Sequence, residues 1–367
     1  MPNLADKKIA IVCDWIIDWG GAELVLEHLL EIFPHADIVT SVCFSDHSSI
    51  KKYKIITSFL QKIPFLNRSH KVALMLRPLV FESLDLSEYD FVISSSSAES
   101  KGVITKPDTL HICYCHTPTR YFWSHYHEYL NMMEFGILNP LARFIMPKMI
   151  HTLRKWDFCA AQRPDIFIGN SQNTRARIEK YYGREAEVIY PGLDTSKIPF
   201  SQEKKDYYFY NGRCIPYKKF DLVVETFNQN KKPLIIATNT DNALHRELKG
   251  KSNENITWIL TDDIDEINTL HSEAKGFLFP PEEDLGLVPI AAMATGTPVI
   301  AYGKGGAKET VVDGKTGIFF DEQTPESLNA AIEVFEAQKW DAKKIRKHAE
   351  IFDKSEFQKQ FLTLLNK

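Results

Sequence analysis

The residues able to do chemistry gather in a few short loops. "DWGGAE" sets Gly20 and Gly21 just ahead of a helical stretch. Paired glycines let backbone come close to a ligand, and the free N–H groups of a helix start favour an anion. The same pair also opens many helices as a plain turn. In "HICYCHTPTRYFW" His116 closes an apolar run and precedes Thr117-Pro118. A histidine there can hydrogen-bond a substrate hydroxyl or move a proton, or simply be satisfied where a loop starts. "NGRCIPYKKFDLVVETF" carries Arg213 and Lys218 between an apolar run and a helix. Two cations at the mouth of a sheet could neutralise a leaving pyrophosphate as its charge develops, without a metal. Surface cations are also common. "FPPEEDLGLVPIAAMATG" places Glu283 ahead of Gly286, Leu287 and Val288, where the amides of a helix start could hold a phosphate. Asp284 so near an anion is unfavourable unless turned away. "YGKGGAKETV" repeats the device, with glycines 303, 305 and 306 ahead of Glu309.

Loops of this kind need strands to hold them. "KKIAIVCDW" (7–15) is nearly continuous in apolar residues, as in strands buried on both faces. Further strands are expected at Phe91–Ser94, Leu110–Cys115 and Asp165–Gly169, with Asn170 or Ser171 capping the helix "QNTRARIEKYYG". "VIYPGLDTSKIPFSQEKKD" is polar and bears Pro and Gly, and reads as a linker. A second series follows: strands at Tyr207–Tyr210, Leu234–Ala237, Ile256–Leu260, Gly276–Phe279, Pro298–Ala301 and Ile318–Phe320, with helices from near Lys218, Asp262, Gly286 and Lys308. Alternating strands and helices in two blocks imply two doubly wound α/β domains, with ligands beyond the carboxyl ends of the strands and a site in the cleft between them. The expected division is 1–190 and 191–350. A last helix in 351–367, with Phe357, Phe361, Leu364 and Leu365 on one side, is expected to pack back on the first domain.

Size and composition agree with two soluble domains: 367 residues, 44% hydrophobic, 25% charged. The net charge of −4 gives no global attraction to nucleic acid. Locally the balance differs. His47 to Phe81 holds seven Lys/Arg and no acid, and Phe135 to Trp156 holds four and none, both interleaved with apolar residues. That mixture suits a face lying on anionic lipid, or a solvated basic face with nothing on it. The six cysteines show neither CxxC nor zinc-like spacing. The first apolar run stops at Asp14, too early for a signal peptide, and no stretch is long enough to span a bilayer. The expectation is a cytoplasmic, reduced protein, peripheral on the inner face of the membrane.

In order and spacing, "GGAE", "YCHTPTRYFW", "NSQNTRARIEKYYGREAEVIYPGLD", "NGRCIPYKKFDL", "FPPEEDLGLVP" and "GGAKETVVDGKTG" resemble the GT-B glycosyltransferases of family 4, in the subgroup of O-antigen and polysaccharide mannosyltransferases. The resemblance covers nearly the whole chain. It implies two Rossmann-like domains, a first for acceptor and a second for a nucleotide-sugar donor. It implies Gly20 and Gly21 near donor phosphates and acceptor, His116 on the transferred sugar, and Arg120 on the acceptor side. Arg213, Lys218 and the amides of Leu287 and Val288 would hold the diphosphate. Glu283 would touch sugar hydroxyls, with Gly286, Glu309 and Asp262 lining the rest of the sugar nucleotide. Retention of anomeric configuration, no metal and no cofactor are implied, with mannose from GDP-mannose as donor and a membrane-linked glycan or lipid as acceptor. A UDP-sugar donor, a catalytically silent sugar-nucleotide binder and an epimerase on the same fold are the alternatives.

The chain departs from the pattern at Ala291. The family has a second acid eight residues after the first, and that acid accepts from the nucleotide's ribose hydroxyls. Its loss removes charge-assisted hydrogen bonds worth roughly 1.5–3 kcal/mol, about ten- to a hundredfold in donor affinity. Leu285 replaces a common Phe, and "LIIATNTDNAL" lacks a Gly-rich turn, which leaves the base side of the site less defined.

Overall fold

Apolar runs without alternation dictate strands buried on both faces, and parallel pairing follows when helices cover each face. The computed structural model describes residues 7–64, 73–131 and 139–366. The chain divides into two compact units, 1–190 with 358–367, and 191–357. In the first unit the strands are β1 (Ile9–Cys13), β2 (Asp37–Thr40), β3 (Ile55–Thr57), β4 (Phe91–Ser96), β5 (Leu110–Cys115), β6 (Ile166–Gly169) and β7 (Glu187–Val188). They form one sheet in the order β3-β2-β1-β4-β5-β6-β7. Every pairing is parallel, with Ile11 beside Ile38 and Ile93 at the centre. The helices are α1 (Gly21–Ile32), α2 (Arg77–Glu82), α3 (Tyr126–Asn131), α4 (Asn139–Ala160) and α5 (Gln172–Tyr182). Ser171 caps α5 by accepting from Thr174 N at 3.0 Å, and Gly183 ends it in the left-handed conformation at φ 63°.

The second unit holds β8 (Tyr208–Asn211), β9 (Leu234–Thr238), β10 (Ile256–Leu260), β11 (Gly276–Phe279), β12 (Val299–Tyr302) and β13 (Gly317–Phe320), in the order β10-β9-β8-β11-β12-β13. Its helices are α6 (Phe220–Asn230), α7 (Ala243–Lys251), α8 (Ile264–Glu273), α9 (Leu287–Ala294), α10 (Ala307–Thr310), α11 (Pro325–Glu336) and α12 (Ala342–Ala349). Both orders reverse direction once, between β1 and β4 and between β8 and β11. Ligands bind at such switch points, outside the carboxyl ends of the strands. The last helix, α13 (Lys354–Leu365), carries the chain back. Within the first unit Phe361 is fully buried, edge-on to Phe33 at 6.1 Å, and Gln358 donates to Glu31 at 2.7 Å.

Several expectations need correction. Residues 191–206 are no free linker: Leu193 bridges to Asp353, and Arg346 donates to the carbonyls of Thr195 and Ile198 at 2.7 and 2.9 Å. Strands β2, β3 and β7 and helix α7 were not expected at all. The helix expected near Lys218 is α6, which begins at Phe220. A single 3-10 turn, Pro216–Lys218, comes first, and Lys219 in the left-handed region (φ 61°) redirects the chain into α6. The helix expected near Asp262 is α8, which Asp263 caps by accepting from Asp265 N and Glu266 N. All six cysteines are free, and four of them are buried. No helix among the described residues is long and apolar enough to cross a membrane. Residues 65–72 and 132–138, inside or beside the two basic runs, lie outside the described residues.

Candidate active site

In the second unit the neighbouring strands β8, β11 and β12 send three loops out from their carboxyl ends, and polar contacts lace the loops together. Lys218 Nζ donates to Glu283 Oε1, joining the loop after β8 to the loop after β11, with the two side chains only 15% and 16% exposed. Gly306 N donates to Glu283 O at 2.8 Å, joining the β11 loop to the loop after β12. The approach is so close that a Cβ on Gly305 would meet Glu283 O at 2.4 Å, and one on Gly306 would meet Leu285 Cα at 2.2 Å. Glycine is required there, because no side chain fits between two backbones. Glu283 is thus held from both sides. Arg213, on the same β8 loop as Lys218, is exposed.

The start of α9 adds backbone donors. The first-turn N–H groups of a helix have no partner within it. Here Gly286, at φ 87°, precedes the helix and offers no side chain to cap them, while Pro289 has no N–H. Leu287 and Val288 therefore carry the open amides, beside the Glu283 loop. Leu287, Val288 and Ala291 make up the partly exposed face of α9, since Pro289, Ile290 and the residues from Ala292 to Ala294 are buried. Ala291 thus stands one turn along from the open amides, with no side-chain oxygen to offer.

Other expected site residues fall less centrally. Glu309 lies half-buried in α10, its N–H on Gly306 O at 2.9 Å. Asp284 is buried rather than presented to solvent. Asp262 is exposed at the end of β10, the outermost strand, two positions from β8 and roughly 10 Å away by strand spacing. Nothing joins it to the Lys218–Glu283 pair among the described residues. One acceptor was not expected: Asn211 Oδ1, at the end of β8, is buried without a hydrogen-bond partner among the described residues.

In the first unit His116 follows β5, half-buried, with Nε2 2.8 Å from Ser95 Oγ and its N–H on Ser96 O at 2.8 Å. Ser95 is at the end of β4, so adjacent strands position the imidazole and the hydroxyl that holds it. Gly20 N donates to Glu23 Oε2 at 3.0 Å, fixing the diglycine turn at the head of α1. Burial pushes the Glu23 carboxyl above its ordinary value despite that bond. Arg120, half-buried in the turn after His116, has a carbonyl that accepts from His125 N at 3.0 Å.

Sequence reasoning missed the polar layer beneath these loops. Asp14, directly after β1, accepts from Ser97 N, Ala98 N and Ser100 N at 2.6, 3.0 and 2.7 Å. Lys101 and Asp157 pair at 2.6 Å with 1% and 0% of their side chains exposed. Asp157 also accepts from Thr119, Trp123 and Tyr182 at 3.0, 2.7 and 2.8 Å. Burial alone would strip the proton from Lys101, but Asp157 reverses that and holds its pKa above the ordinary lysine value. The readable signal was "SSSSAESK", serines and charges crowded at the end of a buried strand. Four hydrogen bonds on one buried carboxylate fix the 116–123 loop against α4.

Two doubly wound parallel sheets in one chain, each with loops at the switch point, define the GT-B architecture. Family models for Glycosyltransferase Family 4 and for Glycosyl transferases group 1 match residues 19–197 and 194–352 in turn. The chain belongs to this group of glycosyltransferases. Sucrose-phosphate synthase from Thermosynechococcus elongatus has the same fold, with a TM-score of 0.76 at 17% identity over 98% of both chains. So does HepE from Anabaena, solved with UDP and glucose, at 0.72 and 17% over 98% of this chain and 100% of that one. Among curated proteins, the O-antigen chain mannosyltransferase RfbU of Salmonella typhimurium is 30% identical over 148 residues, 35% of this chain and 40% of the relative. A GDP-mannose-dependent α-(1-6)-phosphatidylinositol monomannoside mannosyltransferase of Mycolicibacterium smegmatis is 26% identical over 203 residues, 46% and 52% of the two chains. The chain thus matches about half the length of these curated relatives or less.

Proposed function

We propose that the chain moves a hexose, with mannose from GDP-mannose the favoured donor, onto a membrane-linked glycan or lipid acceptor, with retention of configuration and without a divalent ion or cofactor. The observation that carries the reading is the Lys218–Glu283 pair set beside exposed Arg213 and the open amides of Leu287 and Val288. The diphosphate takes Arg213, Lys218 and the two amides, and Lys218 then leaves Glu283 to accept from sugar hydroxyls. Gly286 and Glu309 line the sugar nucleotide, and Asp262 belongs to the base side. As the bond between the anomeric carbon and the β-phosphate oxygen breaks, charge grows on the phosphate, and donors already in place stabilise it without reorganising. The leaving phosphate oxygen accepts the proton of the incoming hydroxyl on the same face of the sugar. His116, oriented by Ser95, bonds a hydroxyl of the transferred sugar, and Gly20, Gly21 and Arg120 serve the acceptor side. Mannose is favoured because the named relatives include two mannosyltransferases.

The test is nucleotide release from GDP-mannose and from UDP-sugars, with and without EDTA. GDP-mannose turnover that survives EDTA and falls about a hundredfold in Lys218→Ala is expected. Turnover confined to UDP-sugars replaces the donor, and turnover abolished by EDTA refutes the metal-free mechanism. Absence of turnover with every donor leaves a silent binding protein, and an epimeric sugar nucleotide formed without acceptor identifies an epimerase. Proton NMR of the product linkage reads retention.

For the acceptor's surroundings, α4 exposes Phe144, Ile145 and Phe158, with Lys148 Nζ over the Phe144 ring at 4.5 Å. This apolar and basic face supports a peripheral position on anionic lipid. Sedimentation with phosphatidylglycerol vesicles that weakens at high salt is expected, and equal binding to neutral vesicles would refute it.

A further inference from the structure

The loops after β1 and β2 in the first unit are laced into one piece that none of the roles above uses. Ile16 N donates to Val42 O and Phe44 N to Ile16 O, at 2.9 and 2.8 Å, around a parallel bridge between Ile16 and Cys43. Cys43 N donates to Gln61 Oε1 at 2.7 Å, and Ser49 Oγ to Glu27 Oε1 on α1 at 2.9 Å, so the second loop is tied down at both ends. This frame stacks Trp19 on His47 with ring centroids 3.7 Å apart and planes 15° apart, both side chains half-buried. Ser49 N donates to His47 Nδ1 at 3.3 Å, so Nε2 carries the proton of the neutral ring and is the donor. Asp18 and Asp46, each next to one of the rings in sequence, are exposed, and Phe44 is 36% exposed. Trp19 also adjoins Gly20 of the diglycine turn.

A stacked aromatic pair held by braced loops, with an exposed Asp next to each ring in sequence, has the chemistry of a pyranose site. The C–H face of a sugar is apolar and packs on an aromatic plane, while carboxylates accept from its hydroxyls. The rings are pre-stacked and their loops braced, so little ordering is left for the ligand to bring about. We infer that Trp19 and His47 form a stacking platform for a sugar ring of the acceptor glycan, with Asp18 and Asp46 accepting from its hydroxyls. The inference rests on the transferase reading above, and its test separates the two.

Transfer to octyl α-glycosides of mannose, glucose, galactose and N-acetylglucosamine is measured beside donor hydrolysis without acceptor. In Trp19→Ala the acceptor KM rises about tenfold or more, as loss of an aromatic stack implies, while hydrolysis stays within about twofold. Trp19→Phe, which keeps a ring in the same frame, recovers most of the loss, and His47→Ala shows a smaller rise. Hydrolysis and transfer falling together, or an unchanged acceptor KM, overturns the platform. So does a wild-type protein that hydrolyses donor yet transfers to none of the glycosides. A wild-type protein that neither hydrolyses any donor nor transfers to any glycoside overturns the transferase reading instead. The platform is then read directly, by saturation-transfer NMR with octyl α-mannopyranoside. Saturation lost in Trp19→Ala supports it, and saturation equal to wild type, or absent from both, overturns it.

Discussion

Gly306→Ala asks whether the loops of the second unit form one rigid seat. The new methyl would lie 2.2 Å from Leu285 Cα and 2.4 Å from Asp284 O, and both obstacles are backbone that no rotamer change can move. Gly306 has an ordinary φ of −67°, so the whole penalty is steric. Overpacking of this kind costs about 1–3 kcal/mol. Gly314→Ala is the matched control: its φ is 67°, yet nothing lies within 4 Å of the added carbon. It should cost about 1–2 kcal/mol from backbone conformation alone and move no neighbour. Denaturant melts should therefore show two variants of comparable stability. Nucleotide release should tell them apart. Pushing the 283–285 backbone away displaces Glu283, and a misplacement near 1 Å costs about a hundredfold in rate. Gly314→Ala should turn over as wild type does. If Gly306→Ala keeps the wild-type rate while losing stability, the link from the glycine contact to Glu283 is wrong.

Ala291→Glu puts a carboxylate on the open face of α9 beside the Leu287 and Val288 amides, and should tighten donor binding about ten- to a hundredfold; calorimetry showing no gain would remove the ribose contact. Lys101→Met leaves Asp157 charged in the core and should cost about 3–5 kcal/mol, partly regained when Asp157→Leu is added, as a double-mutant cycle in urea will read. Glu336 links folding to acid: burial raises its pKa, but hydrogen bonds from Lys232, Lys275 and Tyr208 outweigh that and bring it from 4.5 down to about 2. A depressed carboxylate stabilises the fold above its unfolded value, and that contribution is lost as pH falls through the folded one. The stability gap between wild type and Glu336→Gln should thus hold above about pH 5 and close toward pH 2; a gap constant down to pH 2 would contradict the assignment.

What the chain made legible follows from burial. Strands β1, β5 and β11 sit inside their sheets, and their apolar runs, broken only by His111 in β5, announce them. β3 escaped notice because it is a three-residue edge strand, half-exposed along its length and set in a basic run. β7 has two residues, and β2 opens on Asp37, whose carboxylate accepts from Tyr89 and Lys54. At the site, residue types were readable but partnerships were not. Glycines ahead of helices and cations after a strand stand out in a sequence. Yet Lys218 reads as a free cation until the fold brings Glu283 to it across 65 positions. Ser95 reads as one serine among four until β4 and β5 align it with His116. Asp262 reads like the other strand-end residues because strand order, which puts β10 at the edge, is not written locally.

The Leu193–Asp353 bridge bears on how the chain is wired. Leu193 N donates to Phe352 O and Lys354 N to Leu193 O, both at 2.9 Å, so the incoming and outgoing segments of 191–357 are stitched side by side. That stretch is topologically a cassette with a single doorway. Its two ends lie side by side, so the chain enters and leaves this stretch through one hydrogen-bonded pair of segments.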